Sequence, residues 1–161
     1  MKEKAYALLH DLNIEYIKHE HAPAFTCADS NVCLGKDFDG LDAKSLFIRN
    51  KNKSQFYLVI VPIHKQVDLK KLQEILQETR LSFSSDDDLM DKLQTCRGSV
   101  SLLNLADVDP SNVIVLIDDD FSTANKTAFH PNDNTETLVF NASEISKILN
   151  HVKVEWRKIK F

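Results

Sequence analysis

The chain has 161 residues, 43% of them hydrophobic and 27% charged, so the expectation is one domain over residues 1–161 with a full buried core. Its three glycines, Gly35, Gly40 and Gly98, stand apart, which excludes the clustered glycines that bring backbone amides to phosphates in dinucleotide folds and P-loops. Twenty Lys and Arg against 24 Asp and Glu give a net charge of −4 and exclude a uniformly basic nucleic-acid coat.

Ala5, Leu8, Leu9 and Leu12 recur at i, i+3, i+4 and i+7, which marks an amphipathic first helix. A short strand from Ile14 to His19 follows. Thr26 with Asp29 reads as the start of a brief second helix ending near Gly35, and Lys36 to Asp42 reads as a loop. Ala43–Arg49 and Gln55–Val61 alternate or run apolar as strands do, and the polar link Lys51-Asn52-Lys53-Ser54 makes them a hairpin. The second of these strands is apolar at six consecutive positions, so both its faces are expected to be covered.

Asp68 is a good N-cap for a helix carrying Leu69, Leu72, Ile75 and Leu76. Leu81–Phe83 reads as a short strand. Ser85 caps a helix through Leu93, and Asp86, Asp87 and Asp88 in its first turn suit the positive end of the helix dipole. Gly98–Leu105 is ambiguous between strand and loop, and Val113–Ile117 is a fully apolar strand. Thr127–His130 and Thr135–Phe140 form a second hairpin about Pro131-Asn132-Asp133-Asn134. Asn141 and Glu144 resemble a capping box for the last helix, and Val152–Trp156 is expected to close the sheet. Hairpins interspersed with helices predict an α/β fold, α+β-like, with a mixed and largely antiparallel sheet flanked by helices.

Cys27, Cys33 and Cys96 form no CxxC pair, and no apolar leader opens the chain. The longest apolar runs fall far short of the ~20 residues that span a bilayer. The expectation is a cytoplasmic protein with reduced thiols and no membrane partner. His19 and His21 with Cys27 and Cys33 fit none of the usual zinc spacings. The serines lack a G-x-S-x-G elbow.

Two residues stand out chemically. Lys44 shares a strand face with Leu46 and Ile48, where an ammonium is costly unless it reaches water or a ligand. His130, at a strand end before Pro131, either faces a cleft or sits in an ordinary turn. Charge is also segregated: Lys44 to Lys71 holds seven bases against one acid, and Leu72 to Phe121 eleven acids against three bases. The basic hairpin reads equally as a footprint for phosphates or as a solvated tip whose lysines discourage edge pairing.

The order of the segments is more specific than any one of them. Ala43-Lys44-Ser45-Leu46-Phe47-Ile48-Arg49-Asn50-Lys51 precedes Gln55-Phe56-Tyr57-Leu58-Val59 and Val67-Asp68-Leu69-Lys70-Lys71-Leu72. Arg80-Leu81-Ser82-Phe83-Ser84, Gly98-Ser99-Val100-Ser101 and Phe129-His130-Pro131-Asn132-Asp133-Asn134-Thr135 complete the series. From about His21 to about Leu149 the chain resembles the YbaK/ProX-like aminoacyl-tRNA deacylases, free-standing relatives of the editing domain in bacterial prolyl-tRNA synthetases.

The resemblance implies a trans-editing hydrolase that deacylates mischarged aminoacyl-tRNA, foremost tRNA for proline charged with alanine, by substrate-assisted attack of water on the ester. The alternative is a non-catalytic tRNA-binding or regulatory module that retains the fold. The implied partners are the tRNA 3′ acceptor end and prolyl-tRNA synthetase, with no DNA, no cofactor and no metal. The family's essential lysine matches Lys44, its glycine-led loop begins at Gly98, and its pocket histidine matches His130. Ser45, Ser99, Val100, Ser101, Leu102, Arg49 and Lys51 are the implied substrate-binding residues. The chain departs from the family at Leu102, where proline is common, and at Ser45, where asparagine often follows the lysine.

Overall fold

The structure, a computed structural model, describes residues 2–24, 34–35 and 37–161. The brief helix expected from Thr26, together with Cys27 and Cys33, lies outside the described residues. Helix α1 (Lys2–Asp11) leads into strand β1 (Ile17–Glu20), later than the sequence reading placed it. Strands β2 (Gly40–Asn50) and β3 (Phe56–Pro62) form the expected antiparallel hairpin. Helix α2 (Leu69–Leu76), strand β4 (Leu81–Phe83) and helix α3 (Asp86–Leu93) follow. Asp68 accepts from the amides of Lys70 and Lys71. Ser85 and Asp88 complete a reciprocal capping box at the start of α3.

The ambiguous stretch after Gly98 resolves into a turn and a 3-10 helix, Leu102–Asp107, capped by Ser101. Strand β5 (Val113–Asp118), a second 3-10 turn (Asp119–Ser122) and the hairpin of β6 (Lys126–Phe129) with β7 (Glu136–Asn141) complete the middle of the chain. Helix α4 (Glu144–His151) and strand β8 (Glu155–Ile159) end it, β8 later than expected. The capping box proposed for Asn141 and Glu144 does not form. The N-cap is Ser143, without a side-chain cap bond, and Asn141 Oδ1 instead accepts from Lys126 Nζ at 2.7 Å across the β6–β7 hairpin.

The strands run β1-β7-β6-β2-β3-β5-β8, with β4 added beside β2. The β1–β7, β6–β7, β2–β3 and β2–β4 pairs are antiparallel, and β2–β6, β3–β5 and β5–β8 are parallel. Alternation along β2 and β3 divides the interior in two. Phe47, Phe56, Leu58 and Ile60 face α1, α3, α4 and the 3-10 helix at Leu102. Ile48, Tyr57, Val59 and Val61 face α2 and Leu81. All seven residues of β3 are buried, as its unbroken apolar run predicts. Gly40 lies so close to β6 that a β-carbon would overlap the carbonyl of Lys126. No helix among the described residues is long and apolar enough to cross a membrane.

Candidate active site

Strand β2 divides one of its edges between two partners. Gly40, Leu41 and Asp42 pair with β6, and Ile48, Arg49 and Asn50 pair with β4. Between them, residues 43–47 have no strand partner on that side among the described residues. Asp42 accepts from Ile63, and Asn50 donates to Gln55, so even-numbered residues bond towards β3. Alternation turns the backbone N–H and C=O of Ser45 into the gap, where Phe47 C=O accepts from Ser84.

A cavity of about 510 Å³ occupies this gap. Because it passes the sheet edge, it is lined from both faces: Lys44, Leu46, Ile63 and Phe83 on one, Ser45, Phe47, Ser84 and Leu89 on the other. Ala24, Arg97, Gly98, Val100 and His130 complete its wall. The volume falls within the range of small-molecule sites.

Lys44 is half-buried, and its Nζ donates to the carbonyl of Lys65 at 2.5 Å. One of its three N–H groups is thereby fixed, and the other two have no partner among the described residues. The Lys65 side chain is itself clamped, with Nζ 2.9 Å from both Asp118 Oδ2 and Asp120 Oδ2. Hydrogen bonds to Asp120 and Asp118 raise the Lys65 ammonium above its ordinary value, and the bond from Lys65 lowers the Asp120 carboxyl. Asp118 and Asp120, at and just past the end of β5, therefore anchor the segment that holds Lys44.

His130 lies just past β6, and its Nδ1 is 2.9 Å from the carbonyl of Glu136. A carbonyl only accepts, so Nδ1 is the donor, and Nε2 has no partner among the described residues. His21 packs edge-on against this ring at 6.1 Å between centroids. Both its nitrogens are engaged, by Ala22 O and Thr137 Oγ1 at 2.8 Å each.

Gly98 has φ +87°, a left-handed conformation that side chains rarely adopt. It is the third residue of a tight turn in which Ser99 N–H donates to Cys96 O at 3.1 Å. The hydroxyls of Ser45 and Ser84 are both buried, with no hydrogen-bond partner among the described residues.

Of the residues assigned from sequence, Lys44, Ser45, Gly98, Val100 and His130 come together on this cavity. The others do not line it. Ser99 is buried, with its hydroxyl 3.9 Å from Cys96 Sγ. Ser101 caps the 3-10 helix, and Leu102 is fully buried in the main core. Arg49 donates to the carbonyls of Asn50 and Lys51 and lies 3.6 Å from Asp88. Lys51 is exposed on the hairpin turn. Lys53 also reaches Asp88, at 2.9 Å, so the acidic start of α3 neutralises much of the basic hairpin. Hydrogen bonds from Lys53 and Ser85 outweigh the effect of burial and hold the Asp88 carboxyl below its ordinary value.

Phe83, Ser84, Leu89 and Arg97 were not assigned to the site from sequence. Their signal was the expected strand Leu81–Phe83 with a helix directly behind it. Only its pairing to β2 reveals that this unit forms one wall of the cavity.

Fold and cavity together define a mixed-sheet α/β domain with a cavity at an interrupted strand edge. The chain belongs to the aminoacyl-tRNA editing domain family, whose model matches residues 21–148. It is 33% identical over 150 residues to the prolyl-tRNA editing protein ProX of Acetoanaerobium sticklandii, covering 92% of this chain and 90% of that one. It is 28% identical over 153 residues to prolyl-tRNA synthetase associated domain-containing protein 1 of Xenopus laevis, with the same coverage. Among solved structures, a hypothetical protein superposes with a TM-score of 0.75 at 14% identity, covering 95% of this chain and 96% of that one. A proposed trans-editing enzyme for prolyl tRNA synthetase gives 0.70 at 13%, covering 99% and 96%. At these identities the superpositions establish the fold.

Proposed function

We propose that this protein is a trans-editing aminoacyl-tRNA deacylase, and that alanine on tRNA for proline is its foremost substrate. The observation that carries the reading is the meeting of Lys44, Gly98 and His130, from three distant segments, on one cavity. The likeness to a protein named for prolyl-tRNA editing supports the substrate class. A synthetase pocket shaped for proline rejects a smaller amino acid weakly, and a second site that admits only the smaller acyl group removes the error.

In this mechanism water adds to the ester carbonyl carbon and the bond to the ribose 3′ oxygen breaks. The proton ends on that oxygen, releasing the amino acid and a free tRNA end. The vicinal 2′-hydroxyl of the substrate helps to place the water. His130, its ring held by the Nδ1 bond to the Glu136 carbonyl, orients the water or the hydroxyl through Nε2. The free N–H groups of Lys44 hold the ester end, and the turn at Gly98 shapes the wall against the acyl group. The reaction needs neither a protein nucleophile nor a metal in this account, and prolyl-tRNA synthetase is a candidate partner that supplies the substrate.

A panel of tRNAs for proline charged with alanine, cysteine or serine tests the proposal, with Lys44→Ala as control. Release of alanine that depends on Lys44 supports it. Binding of tRNA with no turnover of any member favours the non-catalytic module.

A further inference from the structure

We infer that the mouth of the cavity is a subsite for the terminal base of the RNA, which stacks on Phe83. The inference deepens the deacylase reading and rests on it for the identity of the ligand. Phe83 is 60% exposed. Tyr16, Ile17, Ile75 and Met90 are the other exposed large apolar side chains among the described residues, and of the five only Phe83 lines the cavity.

The fold does not need a phenyl ring at this position. Leu81 and Phe83 point to the same face of β4, but Leu81 is buried against Leu72 of α2 while Phe83 lies beyond that cover. Phe83 pairs with Ile48, so it stands on the face of β2 that carries Leu46 and then Lys44. A nucleoside stacked on the ring would have its ribose directed along this row towards the ammonium. Every base presents a π-face, and aromatic platforms bind single-stranded ends in this way.

The neighbouring charges select the base over the backbone. Arg97 lines the cavity, and Asp86, exposed at the start of α3, lies against it. Arg97 offsets Asp86, its Nε donating to Oδ1 at 2.8 Å. A neutralised rim beside an exposed ring suits a flat, uncharged base.

The test uses an acceptor-stem hairpin RNA whose 3′-terminal base is 2-aminopurine, a fluorophore quenched by stacking. Wild-type protein is expected to quench it. Phe83→Ala abolishes the quenching and weakens binding about 5- to 150-fold, the range for loss of one stacked base. Phe83→Trp restores both, and Phe83→Leu, apolar but not aromatic, does not. On charged hairpin, Phe83→Ala raises KM by a similar factor and leaves kcat within about twofold. Absence of quenching by the wild type overturns the inference. So does equal quenching by Phe83→Ala, or full rescue by leucine, which marks a merely apolar docking site. The readouts separate the two claims: quenching without release of amino acid contradicts the deacylase and leaves the stacking intact. An unchanged KM for charged hairpin in Phe83→Ala contradicts the stacking alone.

Discussion

Asn104 bridges the two loops that carry Gly98 and His130. Its Oδ1 accepts from the amide of Ser101, and its Nδ2 donates to Asn132 Oδ1 at 2.6 Å. Only 3% of Asn104 is exposed, so the loops are joined by a dry polar link rather than through water. Asn132 has φ +63°, a left-handed conformation that asparagine tolerates better than most residues.

Asn104→Ala leaves the Ser101 amide unpaired in the interior, at an expected cost of about 1–3 kcal/mol in chemical denaturation. Deacylation should fall about tenfold, because the Gly98 turn and His130 lose their common tether. Asn104→Asp keeps an acceptor for Ser101 and removes the donor to Asn132. It should therefore lower activity more than stability, and equal losses in the two would contradict a positioning role.

Gly98→Ala places a β-carbon in open space, so no clash opposes it. The cost is backbone strain at φ +87°, about 1–2 kcal/mol, unless the turn flips. A flipped turn changes the cavity wall. The expected result is a modest drop in melting temperature with a much larger drop in kcat.

Leu102 is a core residue here, with no exposed surface. Leu102→Ala should cost about 2–5 kcal/mol of stability through the cavity it leaves. At a temperature where the variant stays folded, its preference among alanyl, cysteinyl and seryl substrates should match the wild type. A changed preference would return Leu102 to the substrate pocket.

Asp88 is held below its ordinary value in the folded protein, chiefly against burial, by Lys53 and the Ser85 cap. A carboxyl lowered on folding stabilises the protein above its unfolded value, about pH 3.9, and that contribution is lost as pH falls through the lower folded value. Asp88→Asn keeps an oxygen for the cap and removes the charge. Its melting temperature should lie below wild type at pH 6, and the two should converge towards pH 2. A constant gap across that range would show that the charge does not matter.

The sequence showed the hairpin of β2 and β3, both capped helices at Asp68 and Ser85, and the odd placement of Lys44, because each is a local pattern. Asn141 misled because a good capping residue was already engaged by Lys126 across a hairpin, a contact that spacing along the chain does not reveal. Arg49 and Lys53 looked free in a basic segment until the fold set Asp88 between them. Phe83, Ser84 and Arg97 reach the site only because β4 takes half of an edge that β6 leaves unfinished. That division of one strand between two partners is a tertiary fact, and the cavity is its consequence.

The most direct measurement is single-turnover release of alanine from alanyl-tRNA for proline by the wild type and Lys44→Ala at equal concentration. The account predicts release well above spontaneous hydrolysis for the wild type and a loss of at least about 100-fold for Lys44→Ala, with unchanged melting of the variant. Release by a folded Lys44→Ala at the wild-type rate would contradict it.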